Sequence, residues 1–293
     1  MKDQRPSSTA LLIAASLVLR RQNPKYVDAI PAISADLYAR MLDVSPGTRL
    51  FSKILRQRWL QAVANLIEQF TVPGISLHYA LRKKHIARLA REALKDGTRQ
   101  VVVLGAGLDP LAFELHQEFC DAQFWELDQA ATQRYKLQGL KKIDYKRFHL
   151  VPVEPGISEL PENQLMKTGF DPGGRTFWIA EGLFMYLTAT RVSSLMQSVK
   201  SLSPPGTQFV FTFMELQRDG RIRFKKQSKC VDWWLSKGGE PFVWGISRHD
   251  ISKFIHPWRM TRIFDDVDLR ALSSLPGDPP LAAGELICLA ENS

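Results

Sequence analysis

The chain has little cysteine: Cys120, Cys230 and Cys288 are widely separated in 293 residues and form no CxxC pair. That excludes a disulfide-built fold and fits a reduced compartment. No HxxxH, CxxC or clustered carboxylate set occurs, so no metal ligands are assigned. Long apolar runs are also missing. The stretch Ala10 to Leu19 falls well short of the roughly 20 residues a bilayer span needs. Arg20 and Arg21 follow it directly, with no small-residue cleavage site, so it reads as a buried N-terminal helix rather than a signal peptide. The expectation is a cytoplasmic protein with no membrane partner. Repeats and low-complexity segments are absent, and none of the six histidines sits in a motif that marks a base. His249, at the start of an expected helix, reads as a surface or capping residue.

What is present is an ordinary globular composition, 45% hydrophobic and 24% charged, with a net charge of +9. Part of that excess is local: Arg218, Arg221, Arg223, Lys225, Lys226 and Lys229 stand against Asp219 alone. The plain reading of such a run is a solvated face.

The first ninety-odd residues carry helical periodicity. Leu50, Ile54 and Leu55 lead into Trp59, Val63, Leu66, Ile67 and Phe70 at i, i+3, i+4 spacing, which predicts one amphipathic helix ended by Val72-Pro73-Gly74. A second helix is predicted from about Ile75 to Leu94 and stopped by Gly97. From Arg99 the pattern changes. Val101 to Leu104 is a short continuous apolar run, as in a strand buried on both faces of a parallel sheet. Further runs at AQFWELD, FHLVPV, TFWIAEG and QFVFTFM alternate with helical segments, and RMTRIF and ELICLA read as two late strands. This alternation predicts a doubly wound α/β sheet. The expected division is a helical cap over residues 1–96 and an α/β core over 97–293, with an insert at about 214–247.

Three segments can carry chemistry. Gly105-Ala106-Gly107-Leu108-Asp109-Pro110 directly follows the first strand, where glycines let a ligand approach the backbone. Asp109 is placed as a helix N-cap with Pro110 at the first helical position. Nicotinamide, flavin and methyl-donor enzymes all use a GxG here. The dinucleotide fingerprint wants a third Gly or Ala three residues after the second, and this chain has Pro110 at that position. A ligand without a pyrophosphate demands less of the turn. Next, Asp128 ends the second strand, 23 residues after Gly105, where a carboxylate accepts from ribose hydroxyls or caps the following helix. Glu126 is assigned to the opposite strand face. Finally, Glu181 opens the segment Glu181-Gly182-Leu183-Phe184-Met185-Tyr186-Leu187 at the carboxyl edge of the fourth strand. There it can meet an ammonium, with Met185 and Tyr186 as an apolar wall.

Together with the Thr9-Ala10 helix and Tyr79-Ala80-Leu81-Arg82, these segments resemble the leucine carboxyl methyltransferase family over about residues 7 to 290. The resemblance implies a class I, Rossmann-like methyltransferase fold that uses S-adenosyl-L-methionine. It implies that Arg82 pairs with the donor carboxylate through its planar fork. By the same resemblance Gly105, Ala106 and Gly107 line the donor, Asp128 binds its ribose and Glu181 sits at the methionine end. An acidic position near the adenine falls at Glu154, where the family more often has Asp; at position 110 the family more often has Thr.

Methyl transfer from a sulfonium relies on positioning and desolvation, so no catalytic side chain is assigned. Base N-methylation is disfavoured, because Glu181-Gly182-Leu183-Phe184 stands where such enzymes carry Asn or Asp, two prolines and an aromatic. The leading expectation is O-methylation of a carboxyl or hydroxyl on a small molecule, peptide end or acidic carrier-bound acceptor. Trp233 and Trp234, after the basic run, are assigned to the acceptor pocket with Tyr186. Two alternatives stand beside this: an RNA methyltransferase using residues 218–234, with nucleic acid the less favoured partner, and an NAD(P)-dependent oxidoreductase.

Overall fold

Five helices precede the first strand: α1 (Ser8–Arg21), α2 (Ala32–Leu42), α3 (Pro46–Leu55), α4 (Arg58–Thr71) and α5 (Ile75–Lys95). The computed structural model describes residues 7–55, 57–140, 147–154, 156–272, 275 and 277–293. Beyond α5 the chain alternates. β1 (Gln100–Leu104), α6 (Leu111–Glu118), β2 (Gln123–Asp128), α7 (Ala130–Gly139) and β3 (Phe148–Pro152) come first. Then follow α8 (Glu162–Lys167), β4 (Thr176–Ala180), α9 (Ala189–Ser201), β5 (Gln208–Glu215) and α10 (Lys229–Gly238). The chain ends with β6 (Gly245–Ile246), α11 (Ile251–Phe254), β7 (Arg259–Phe264), α12 (Asp266–Ala271) and β8 (Glu285–Glu291).

The strands form one sheet in the order β3-β2-β1-β4-β5-β8-β7, with the short β6 on the free end of β5. All pairings from β3 to β5 are parallel, while β8 runs antiparallel between β5 and β7. This is a doubly wound α/β, Rossmann-like architecture. The order reverses between β1 and β4, which opens a crevice at their carboxyl ends, the place where such sheets bind ligands.

The strand periodicity sorts the core into two layers. Val101, Val103, Phe124, Phe177 and Ile179 join one apolar cluster with α1, α2, α5 and α6. Val102, Leu104, Trp125, Trp178 and Phe211 join another on the opposite face, with Leu195 and Val199 of α9. Every residue of β1 is buried because strands flank both its edges and helices cover both faces. The N-terminal helices therefore share a continuous core with the sheet. α1 places Ala14, Leu17 and Val18 in it, as the buried-helix reading of Ala10 to Leu19 expects.

One element differs from its prediction. The apolar stripe from Leu50 to Phe70 predicts a single helix, and the structure divides it into α3 and α4, with Gln57 extended between them. Only Leu60 and Ala64 of α4 pack against the core cluster, while the rest of its stripe faces outward. Apolar periodicity continues across the break, so spacing alone does not reveal it.

Candidate functional site

The glycine turn follows directly from the end of β1. Gly105 and Gly107 have φ of 66° and 53°, in the left-handed region that favours glycine. A Cβ at Gly105 would stand 2.9 Å from Leu183 Cδ1, so the loops after β1 and β4 touch across the crevice. A Cβ at Gly107 would lie 3.5 Å from Ala10 Cβ, which places the first turn of α1 over the same loop. Ala106 between them is buried.

Asp128 ties this turn to the end of β2. Its Oδ2 accepts from Gly107 N at 2.6 Å and its Oδ1 from Gln129 N at 2.6 Å. Burial raises its pKa against those two backbone bonds. The N-cap of α7 is Gln129 rather than Asp128. Thr132 of α7 adds a side-chain hydrogen bond to the same carboxylate, and the two oxygens together keep capacity for a further donor.

Asp109 departs from its predicted role. Pro110 is the N-cap of α6, and Asp109 stands one residue before it, where its Oδ1 accepts from Leu111 N at 3.1 Å and from Tyr38 at 3.3 Å. Its Oδ2 takes Lys83 Nζ at 2.5 Å. Glu126 is also corrected. It lies two residues from Asp128 and so shares its strand face. Its carboxylate is turned to Lys136 of α7, whose Nζ donates to both oxygens at 2.7 Å. The same ammonium donates to the Asp109 carbonyl, so the buried Lys136–Glu126 contact braces the glycine turn from behind.

Across the crevice, α5 delivers Arg82 to the carboxyl end of β4 and the amino end of the antiparallel β8. Its Nε donates to Glu181 Oε1 at 2.8 Å and its Nη1 to Glu285 Oε2 at 2.5 Å. His78, one turn earlier on α5, bonds Glu285 Oε2 through Nε2 at 2.8 Å. Lys83 completes the group, 3.0 Å from Glu181 Oε1. All these side chains are buried or nearly so, and the other oxygen of Glu181 has no hydrogen-bond partner among the described residues. Burial alone would raise the Glu285 carboxyl, but Arg82 and His78 outweigh it and hold it at about 2. A separate cavity of about 80 Å³ lies behind this group, between Tyr38, Lys83, Asp109 and Glu114. It is several-fold smaller than a nucleoside-sized pocket.

The segment after β4 forms a short turn in which Phe184 and Met185 are buried. Tyr186 packs against Phe242 at 5.7 Å, and burial lifts its phenol far above the ordinary range. Thr9 at the start of α1 reaches the same region, donating to Glu240 at 2.5 Å. The other assigned residues are not gathered here. Glu154 is exposed beyond β3, while Trp233 and Trp234 are exposed on α10. Phe224 and Phe242, which spacing does not single out, supply the aromatic surface beside Tyr186 instead. His249 is exposed ahead of α11. No group of three or more metal-ligating side chains occurs among the described residues.

A family model described as leucine carboxyl methyltransferase matches residues 19–200. The chain belongs to this family. The chain is also similar to a Frankia alni protein provisionally named an S-adenosyl-L-methionine-dependent methyltransferase. The two are 32% identical over 196 residues, which span 66% of this chain and 62% of the relative. A Mycobacterium bovis protein with the same provisional name is 28% identical over 215 residues, covering 70% of this chain and 68% of the relative. Among solved structures, one provisionally named a methyltransferase from Thermobifida fusca superposes with a TM-score of 0.59 at 14% identity. That match covers 87% of this chain and 94% of the other. A duf574 family protein from Streptomyces avermitilis gives 0.57 at 12% identity, covering 87% and 97%. At those identities the two structures establish the fold alone. The family match ends at residue 200, so Glu285 and the segment around α10 lie outside the span it covers.

Proposed function

We propose that this protein is an S-adenosyl-L-methionine-dependent O-methyltransferase acting on a carboxyl or hydroxyl group. The acceptor is a small molecule, a peptide end or a carrier-bound acid. The observation that carries the reading is the Arg82–Glu181 pair, held at 2.8 Å across the crevice from the glycine turn.

Charge supports the donor over a dinucleotide. Arg82 and Lys83 face Glu181, Glu285 and Asp109, which leaves one uncompensated negative charge in a largely buried group when His78, bonded to Glu285, is neutral. The methyl donor carries a sulfonium, an ammonium and a carboxylate, and its net positive charge balances that excess. A pyrophosphate would add to it. The residues present also fit the donor's shape. Gly105 and Gly107 keep the turn free of side chains, and the unpartnered oxygen of Glu181 suits an ammonium. Arg82 would hold the carboxylate, and Asp128 would accept from the ribose hydroxyls with the capacity its backbone bonds leave. Glu154, exposed beyond β3, would reach the adenine.

When bound, the donor supplies a methyl group activated by its sulfonium. The chain's part is to orient and to exclude water. Tyr186, Met185 and Phe242 form the apolar side of the site, and the start of α1 closes over it. A carboxylate acceptor is ionised at neutral pH and needs no base from the protein.

Calorimetric titration tests the reading. S-adenosylhomocysteine should bind and NADH should not. Arg82→Met should weaken the homocysteine ligand by roughly 30-fold, the loss of a charge-assisted hydrogen-bond pair worth about 2 kcal/mol. Binding of NADH without S-adenosylhomocysteine would refute it.

A further inference from the structure

Among the described residues, large apolar side chains left in solvent concentrate on α3 and α4. Trp59, Val63, Leu66, Ile67 and Phe70 recur at the spacing of one helical stripe, which a core helix would turn inward. Here they face out, with Trp59 61% and Phe70 71% exposed. Leu50 and Ile54 extend the surface along α3. An uncovered stripe of this kind marks an interaction surface.

The stripe runs up to the basic segment. Thr71, at the end of α4, accepts a hydrogen bond from Ser228 N at 2.9 Å, so Phe70 and Lys229 are each one residue from a shared contact. Lys225, Lys226 and Lys229 are exposed there, and Lys226 and Lys229 have no acidic partner among the described residues. Trp233 follows one turn into α10, 62% exposed, with Lys237 Nζ 4.8 Å from its ring centre. The basic run is thus the charged rim of an apolar surface and not a solvated face alone.

We propose that α3, α4 and the start of α10 form a docking surface for an anionic phospholipid membrane. Helices that lie in a bilayer interface combine Trp, Phe and Leu on one side with flanking cations, and this surface does both. Anionic headgroups complement the lysines and the net charge of +9. A second copy of this chain fits less well, because an isologous contact would press the same lysines together. No helix among the described residues is long and apolar enough to cross a membrane, which is compatible with a helix that lies on one. The proposal departs from the sequence expectation of no membrane partner, which rested on the missing span.

Flotation of the full-length protein tests this, with phosphatidylcholine vesicles made with and without phosphatidylglycerol. Binding should require phosphatidylglycerol and fall as salt rises. Each lysine near an anionic leaflet is worth about five-fold in partitioning, so Lys225→Gln/Lys226→Gln/Lys229→Gln should lose roughly a hundred-fold. Trp59→Ser/Phe70→Ser should also abolish flotation. Both variants should keep the wild-type melting temperature and affinity for S-adenosylhomocysteine; should either melt early, the single Lys226→Glu variant carries the test, with weakened flotation expected. Absence of flotation with either vesicle, or binding indifferent to the lysines, would overturn the proposal. So would a dimer by light scattering that Phe70→Ser dissociates, which would assign the face to a second copy.

Discussion

Replacing Glu285 by Gln probes the electrostatics of the crevice without touching the glycine turn. Glu285 is fully buried, with Arg82 2.5 Å away and His78 2.8 Å away, and its pKa falls from an ordinary 4.5 to about 2. A depressed carboxylate contributes stability that is present above the unfolded pKa and lost as pH falls through the folded one. A displacement of about 2.5, at about 1.4 kcal/mol per pH unit, gives roughly 3 kcal/mol at pH 7. At pH 3 the same linkage leaves about 1.5 kcal/mol, because the unfolded chain is already protonated while the native carboxylate is not. Urea unfolding of wild type and Glu285→Gln at both pH values measures the difference directly, and effects of other titrating groups largely cancel between the two proteins. A loss near 3 kcal/mol that roughly halves at pH 3 is expected. An equal loss at both pH values would refute the argument, since Gln would then be acting through shape and not charge.

Lys136→Met should also cost more as pH rises, but over a higher window, because the carboxyl it faces is shifted upward. Burial pushes the Glu126 carboxyl up to about 7 despite Lys136, so the native state holds a proton that the unfolded chain gives up between about pH 4.5 and 7. Without the ammonium that proton is held more tightly. The cost of the substitution should be smallest near pH 6 and grow above pH 7 by about 1.4 kcal/mol per pH unit, read from urea midpoints; a flat difference would count against it. Gly105→Ala should cost about 1–2 kcal/mol for the left-handed backbone, and more because the new methyl group meets Leu183. A melting temperature unchanged from wild type would mean that the two loops do not touch.

Much of the fold is legible because strands buried on both faces have no alternative to apolar runs. Val101 to Leu104, Thr176 to Ala180 and Gln208 to Met214 each announce themselves that way, and the structure pairs them side by side. The turn glycines are legible for a related reason, since only a residue without a side chain takes that backbone at a strand end. Periodicity fails where packing is decided elsewhere. The stripe on α3 and α4 looks like a core face, and nothing in its spacing says that the chain turns at Gln57 or that the face stays in solvent. Trp233 and Trp234 read as the wall of a pocket in the same way, and the structure leaves both exposed on α10.

The site is legible where its residues lie within a local motif and illegible where it is closed by partners distant in sequence. Arg82, Asp128 and Glu181 each sit at a strand edge or in a recognisable segment. Glu285 lies 203 residues from Arg82, and Lys136 looks like any surface lysine on a helix. Both nevertheless are buried. One signal was available for Glu285. It heads the apolar run Glu285-Leu286-Ile287-Cys288, and a charge at the start of a central strand must find a partner or be neutralised. Tracing that partner changes the reading of Arg82. As a lone arginine it would bring one positive charge to a donor carboxylate. Bound to Glu285 and Glu181 together, it belongs to a group in which, with His78 neutral, carboxylates outnumber cations, and under the proposed function such a group would favour a cationic ligand. Glu285, a residue outside the span matched by the family model, thus adds to the Arg82–Glu181 pair the second carboxylate that a cationic donor would meet.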